Sequence, residues 1–497
     1  MKLSLLCISI VAIGFTALHS FAGPAPELTP DQAKRDARVL IRALSELHPA
    51  LTKYRTSEEI ARAFANFETR ANAARTRGEM FLAASELAAA IRCGHTWAQP
   101  GFNQGPAVTS ILTARADKLP LHLFHVEGRW LVTASADNKL HPGDELLALS
   151  GVEAAAIAPQ MTPYLRADGS SDSKRLIQLC HQGDTSMMDY IWPLLHPPED
   201  GDYPLTVRRP DGKVEKLRVP AITLAERKTR LAAAGLKPQT DDWTRVSRGD
   251  VCILTLPTFA FWDGKFDWKT YLAETFSELA QNHTRFLIID LRLNEGGDGE
   301  IGPAILSRLL RQPFKTEAQL PYGAYERVPY ILARYLDTWD FDFFDRTGQV
   351  EKQGEHRYLL KTKIETELAI APHPAPFTGK TYFLIGGENS SATFELARLI
   401  QLSHAATLIG QTTGGNLRGL NGGELCWVNL PNSGVGVDIP LLASTPKTPQ
   451  PDAAVQPDIP VQRTFAALAA GRDLEMETAL RLIDEARRAE TGKSGQD

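Results

Sequence analysis

The chain has 497 residues but only five cysteines and six methionines. Cys7 falls in the N-terminal leader, and Cys93, Cys180, Cys252 and Cys426 stand far apart with no CxxC spacing. Two of these sit in apolar strand-like runs, so buried thiols are expected rather than a disulfide framework or a zinc site, and no metal or other cofactor is implied. Lys and Arg never gather into a run, and the formal net charge is only −5, so the footprint of a nucleic-acid binder is missing. Fixed-period repeats and low-complexity tracts are absent too. Long apolar runs are equally scarce: the one in "MKLSLLCISIVAIGFTALHSFAG" falls under the ~18 residues a membrane span normally needs. It follows one Lys and precedes the small residues Ser20 and Ala22, which is the layout of an export leader over residues 1–22. The mature chain is therefore expected in the periplasm or secreted, without a membrane span.

What is present is a globular composition, 43% hydrophobic and 23% charged, in a chain long enough for two to four domains. Over about 29–92 the apolar residues return every three or four positions ("DARVLIRALSELHPAL", "EMFLAASELAAAIR"), which predicts an N-terminal helical domain within 23–115. Short β-like runs dominate about 119–220, with a Pro-Gly-Asp turn in "LHPGDELLALSGV", and predict a small β-rich module over 116–225. A polar connector follows. From 240 to 497 strands alternate with helices ("VCILTLP", "YLAETFSELAQN", "RFLIIDLRLN", "IGPAILSRLLRQ", "TYFLIGG"), which requires βαβ crossovers and a largely parallel sheet. The fold class is multidomain α/β.

Two stretches of the last domain carry possible chemistry. In "YFLIGGENSSATFELARLIQ" a strand meets a helix at Ser390 and Ser391, where helix N–H groups lack partners. One serine there is explained by capping alone. In "LIIDLRLNEGGDGEIG" a strand runs into a Gly-rich turn. Gly297, Gly299 and Gly302 satisfy GxGxxG, but the acid expected about twenty residues downstream of a dinucleotide site is missing. Gly296 and Gly297 instead let backbone N–H groups approach a ligand oxygen closely, as an oxyanion hole requires. No GxSxG segment is present.

"LIIDLRLNEGG", "GGENSSATFELARLIQLSHAATLIGQTTGGN" and "VQPDIPV", in this order, resemble the catalytic domain of the tail-specific (C-terminal-processing) and tricorn-type serine peptidases. "HPGDELLALSGV" resembles part of the PDZ-like module many of them insert, and "CGHTW" resembles the "DxHT" segment of the tricorn-like branch. The resemblance implies a crotonase-like (Clp-protease-like) catalytic domain and a serine peptidase acting on peptides or proteins. It places the nucleophile at Ser391, with Ser390 as the alternative, and the oxyanion donors at Gly296 or Gly297 and at Ala392. Asp290 and Arg292 match a "DxRxN" strand end and are expected to brace the turn. The lysine base of the better-known branch has no counterpart, since no lysine occurs between Ser391 and Lys447. The resemblance supplies His95 instead, and a neutral imidazole can take the serine proton near pH 7. Asp452 is the implied orienting acid, with Glu388, Glu395 and Asp458 left open. A non-catalytic ligand- or peptide-binding protein on the same fold, or an esterase, are the alternative functions.

Overall fold

The computed structural model describes residues 27–180, 185–236, 240–262, 264–361 and 367–493, so the leader expected over 1–22 lies outside the described residues. At the centre is a six-stranded sheet in the order Ile459–Pro460, Thr407–Gly410, Lys380–Ile385, Phe286–Asp290, Val251–Thr255 and Thr244–Arg248. All neighbours pair in parallel except the last strand, which closes one edge antiparallel. The alternation of side chains explains why these strands are apolar throughout. Leu287, Ile289, Phe383 and Ile385 pack under the helices Trp268–Gln281, Ile301–Ser307 and Ser391–Ser403. Phe286, Ile288, Tyr382 and Leu384 face the other way, onto Ala479, Ile483 and Ala486 of the C-terminal helix Leu474–Lys493. With both faces covered, the polar groups of the site collect at the carboxyl ends of the strands.

The N-terminal region is helical as expected, and each of its first three helices opens on a capping box: Thr29 with Gln32, Thr56 with Glu59, Thr76 with Glu79. Its core is shared rather than private. Leu40, Leu44, Phe81 and Leu87 belong to the same cluster as Cys426, Val428, Val437 and Ile439 of the hairpin Leu425–Asn429 and Gly436–Pro440. The four described cysteines are all free and buried. Among the described residues no helix is long and apolar enough to cross a membrane.

The β-rich stretch forms an antiparallel sheet ordered Leu121–Val126, Arg129–Ser135, Glu145–Leu149, Asp202–Arg208 and Val214–Pro220. Between its third and fourth long strands lie helices the periodicity does not announce, Ala154–Met161, Asp172–Ile177 and Met187–Leu195. Within the polar connector Leu224–Ala233 is helical, and its buried Arg227 donates to the carbonyls of Leu119 (3.0 Å), just before the first strand, and of Leu121 (2.9 Å), at its start. The stretch 313–379, to which the sequence reading assigns no element, carries small sheets among its described residues. One of them runs Val350–Gly354, Arg357–Leu360, Leu320–Gly323 and Ala443–Thr445.

Candidate active site

The strand Lys380–Ile385 ends at Gly386, and five residues later the helix Ser391–Ser403 begins. Neither serine caps that helix. Ser390 occupies the N-cap position in extended conformation, but its Oγ donates to the Glu295 carbonyl at 3.0 Å. Ser391 takes φ +50°, and its Oγ has no hydrogen-bond partner among the described residues. A non-glycine residue in the left-handed region costs on the order of 1 kcal/mol, so the surroundings must hold it there. Buried Asn389 does so. Its amide donates to the carbonyls of Leu291 (2.5 Å) and Asn294 (3.0 Å) and accepts from the Gly386 N–H (2.8 Å). A strand, a strained serine and a helix follow in succession here, without the glycines of a GxSxG segment.

Opposite lies the turn after Phe286–Asp290. Asn294, fully buried, accepts from Gly296 N–H at 2.9 Å and from Thr393 Oγ1 at 2.5 Å, which ties the turn to the helix Ser391–Ser403. That bond engages Gly296. Gly297 N–H and Ala392 N–H have no partner among the described residues and are the free donors. Gly296 matters through what it lacks: at φ +125° a Cβ would sit 2.7 Å from Ser391 Cβ and 3.1 Å from Ala392 N. Asp290 and Arg292 pair at 2.7 Å, and Arg292 also reaches Asp473 at 2.7 Å, so this pair braces the strand end.

His95 lies between the helix Arg77–Ile91 and a bridge of Trp97 to Asp438. The loop is fixed on both sides of the imidazole: Gly94 N–H donates to Asp168 Oδ1 at 2.8 Å, and Thr96 Oγ1 meets His48 Nε2 at 3.1 Å. Gly422 packs against the ring, and a Cβ there would lie 2.8 Å from Nε2. His95 Nδ1 is buried without a partner, and no hydrogen bond joins the ring to either serine. Burial lowers its pKa below the ordinary 6.5, with Arg166 and Lys174 acting in the same direction and Asp168 and Glu295 opposing them. The imidazole is therefore neutral at pH 7, the form a base needs.

The candidate acids are placed as follows. Asp452 Oδ1 accepts from Ser170 N–H (2.9 Å), Ser170 Oγ (3.0 Å) and Asn416 Nδ2 (2.7 Å), and these donors hold the carboxyl below its usual range against the opposing effect of burial. Glu388 pairs with Lys174, Glu395 with Arg398, and Asp458 accepts from Leu408 N–H. None of the four bonds His95. The carboxylate acting most strongly on the imidazole is Asp168, which the sequence reading does not single out. Asp168 precedes Gly169 in the chain, and a Cβ at Gly169 would lie 2.3 Å from Asp452 Oδ1.

Two cations missed by the sequence complete the site. Arg166 stacks on Trp97 with its guanidinium 3.7 Å from the ring centre, bonds the Gly94 carbonyl, and reaches Glu295 Oε1 at 2.5 Å. Lys174, almost fully buried, pairs with Glu295 at 2.8 Å and Glu388 at 2.5 Å. The pocket walls raise the pKa of Glu295, but these two cations outweigh them and hold the carboxyl well below its usual range. Beside them is a cavity of about 360 Å³ walled by Trp97, Met187, Tyr190 and Leu293 among others, wide enough for one side chain.

Residues 250–461 match the family model described as peptidase family S41. No curated protein matches the sequence. Among solved structures, mature CPAF complexed with lactacystin is 15% identical over 94% of this chain and 99% of that one, with a TM-score of 0.59. A CPAF mutant gives 0.62 at 15% identity over 89% and 94%. The photosystem II D1 C-terminal processing protease aligns at 14% identity over 87% and 94%, with a TM-score of 0.39. At these identities the CPAF likeness is one of fold.

Proposed function

We propose that this chain, whose residues 250–461 match the model of peptidase family S41, is a serine peptidase in which Ser391 attacks the scissile carbonyl, His95 accepts its proton, and Gly297 and Ala392 N–H groups receive the oxyanion. The observation that carries this reading is Ser391 itself. A serine kept at φ +50° with an unbonded Oγ, beside two unpaired N–H groups, is strained in a way a capping role does not need. The covalent step is ordinary acyl transfer. As the Ser391 Oγ–C bond forms, the Oγ proton passes to His95, which returns it to the leaving amine as the C–N bond breaks; water then hydrolyses the ester by the same base. The His95 imidazole has no hydrogen-bond partner among the described residues, and catalytic bonds often tighten only when substrate is bound.

The orienting charge is assigned to Asp168 and Asp452 beside Gly169, Asp168 through its field on His95 and Asp452 by anchoring Ser170 and Asn416. The catalytic domain is taken as crotonase-like, and the 116–225 module as PDZ-like with a place for an extended peptide along a strand edge. Export to the periplasm or beyond is part of the same proposal. The test is labelling of the purified protein with a fluorophosphonate probe, with mass-spectrometric mapping of the modified serine, alongside hydrolysis of a peptide library. Label on Ser391, lost together with peptide cleavage in Ser391→Ala, is the expected result. Label on Ser390 moves the nucleophile by one residue, and cleavage that survives Ser391→Ala ends the assignment.

A further inference from the structure

The segment 166–174 belongs to the β-rich region, yet it touches each of the three loops that make the site. Arg166 bonds the carbonyl of Gly94, next to His95 and 72 residues away in sequence. The other arm of the same guanidinium reaches Glu295, next to Gly296 and 129 residues away. Lys174 bonds Glu295 again and Glu388, 214 residues away, on the loop that leads to Ser391. The guanidinium is flat, presents donors on two sides, and lies on Trp97, so it fixes direction as well as charge.

We propose that Arg166 is a positioning residue that sets the distance between the base loop and the oxyanion turn by bonding Gly94 with one arm and Glu295 with the other. The proposal rests on the assignment of Ser391 and His95 above. Its logic is that these two loops come from distant parts of the chain and, among the described residues, share no side-chain hydrogen bond of their own. Arg166 Nε is buried with no partner, so the side chain is placed for its two terminal nitrogens. A displacement of about 1 Å between reacting groups costs as much as a hundredfold in rate, which gives a strut of this kind leverage that its own stability contribution would not suggest.

The groups whose charge reaches His95 are Asp168, Arg166, Glu295 and Lys174, so changes at Arg166 leave two separable signatures. Arg166→Gln removes a cation that depresses the imidazole pKa, and the acid limb of kcat/KM should move to higher pH. Arg166→Lys restores the charge but offers a single point donor in place of two arms. Its acid limb should return towards the wild-type position while kcat stays low, about ten- to a hundredfold below wild type. Full recovery of kcat in Arg166→Lys would reduce Arg166 to a source of field, and wild-type kcat in both variants would make it structural; either result overturns the proposal. Should Arg166→Gln fail to fold, Glu295→Gln cuts the same strut from the other side, with the acid limb expected to move down in pH and kcat to fall. Fluorophosphonate labelling of wild-type Ser391 is measured in parallel: if the wild type does not label there, the underlying site assignment has failed rather than the strut.

Discussion

Ser390 and Ser391 are neighbours with opposite obligations. Ser390 uses its hydroxyl to hold the Glu295 carbonyl, and so keeps the glycine turn against the helix start. Ser391 holds nothing, and its backbone is strained. A residue that contributes no bond and costs conformational energy should be replaceable with a gain in stability. Ser391→Gly, which adopts positive φ without steric cost, is expected to be inactive but more stable than wild type by on the order of 1 kcal/mol. Ser390→Ala should be less stable than wild type by a similar amount, the usual worth of one lost hydrogen bond. Urea unfolding of the two variants checks this, and a destabilised Ser391→Gly would mean that the serine side chain has a structural partner after all.

At the level of elements, the segment 166–178 changes what the β-rich module means. Besides the two cations, Ser171 Oγ bonds the Gly415 carbonyl at 2.8 Å, Ser173 Oγ bonds that of Thr413 at 3.1 Å, and Ser170 is held by Asp452. A module that only delivered peptide would, when removed, raise KM for long substrates more than for short ones. Deleting residues 119–220 should instead abolish turnover of short and long peptides alike, since the struts to Gly94, Glu295 and Glu388 go with it; a short peptide cleaved at the wild-type kcat/KM would refute this. The parallel strands, their order of alternation with helices, and the serine and glycine turns are legible in the sequence because strands buried on both faces are uniformly apolar and turns need glycine. The helices Ala154–Met161 and Met187–Leu195 are not, because Pro159 and Pro193 stand in their last turns and read as breakers. The strands of 313–379 are two to five residues long and pair with one another or with residues 425–445, too short for any period to show. Arg166, Lys174 and Asp168 sit in "LRADGSSDSKR", an unremarkable polar stretch; their roles exist only through contacts with residues far away in the chain.

For the molecule as a whole, the N-terminal helices, the loop that carries His95 and the 425–440 hairpin share one core, and His48 lies at that seam. Its Nδ1 accepts from Ala50 N–H at 3.1 Å, which fixes the proton on Nε2, facing Thr96 Oγ1. Adding a second proton would set two N–H groups against each other at Ala50. Burial, with Lys53 nearby, pulls the pKa of His48 from 6.5 to about 3. Between those values the unfolded chain binds a proton that the folded chain does not. Stability is therefore complete above the unfolded pKa of 6.5 and is lost as pH falls towards 3, at up to ~1.4 kcal/mol per pH unit from this one group. His95 adds a loss of the same sign, since its folded pKa is also lowered. Acid should thus loosen the seam behind the His95 loop as it protonates His95. The measurement is the urea midpoint from pH 7 to pH 4 for wild type and His48→Gln. The variant starts lower at pH 7, having lost a fitted buried ring, and its midpoint should fall less steeply with acid. Parallel lines for the two proteins would mean that His48 takes up its proton in the folded state, and that the acid sensitivity of the molecule arises elsewhere.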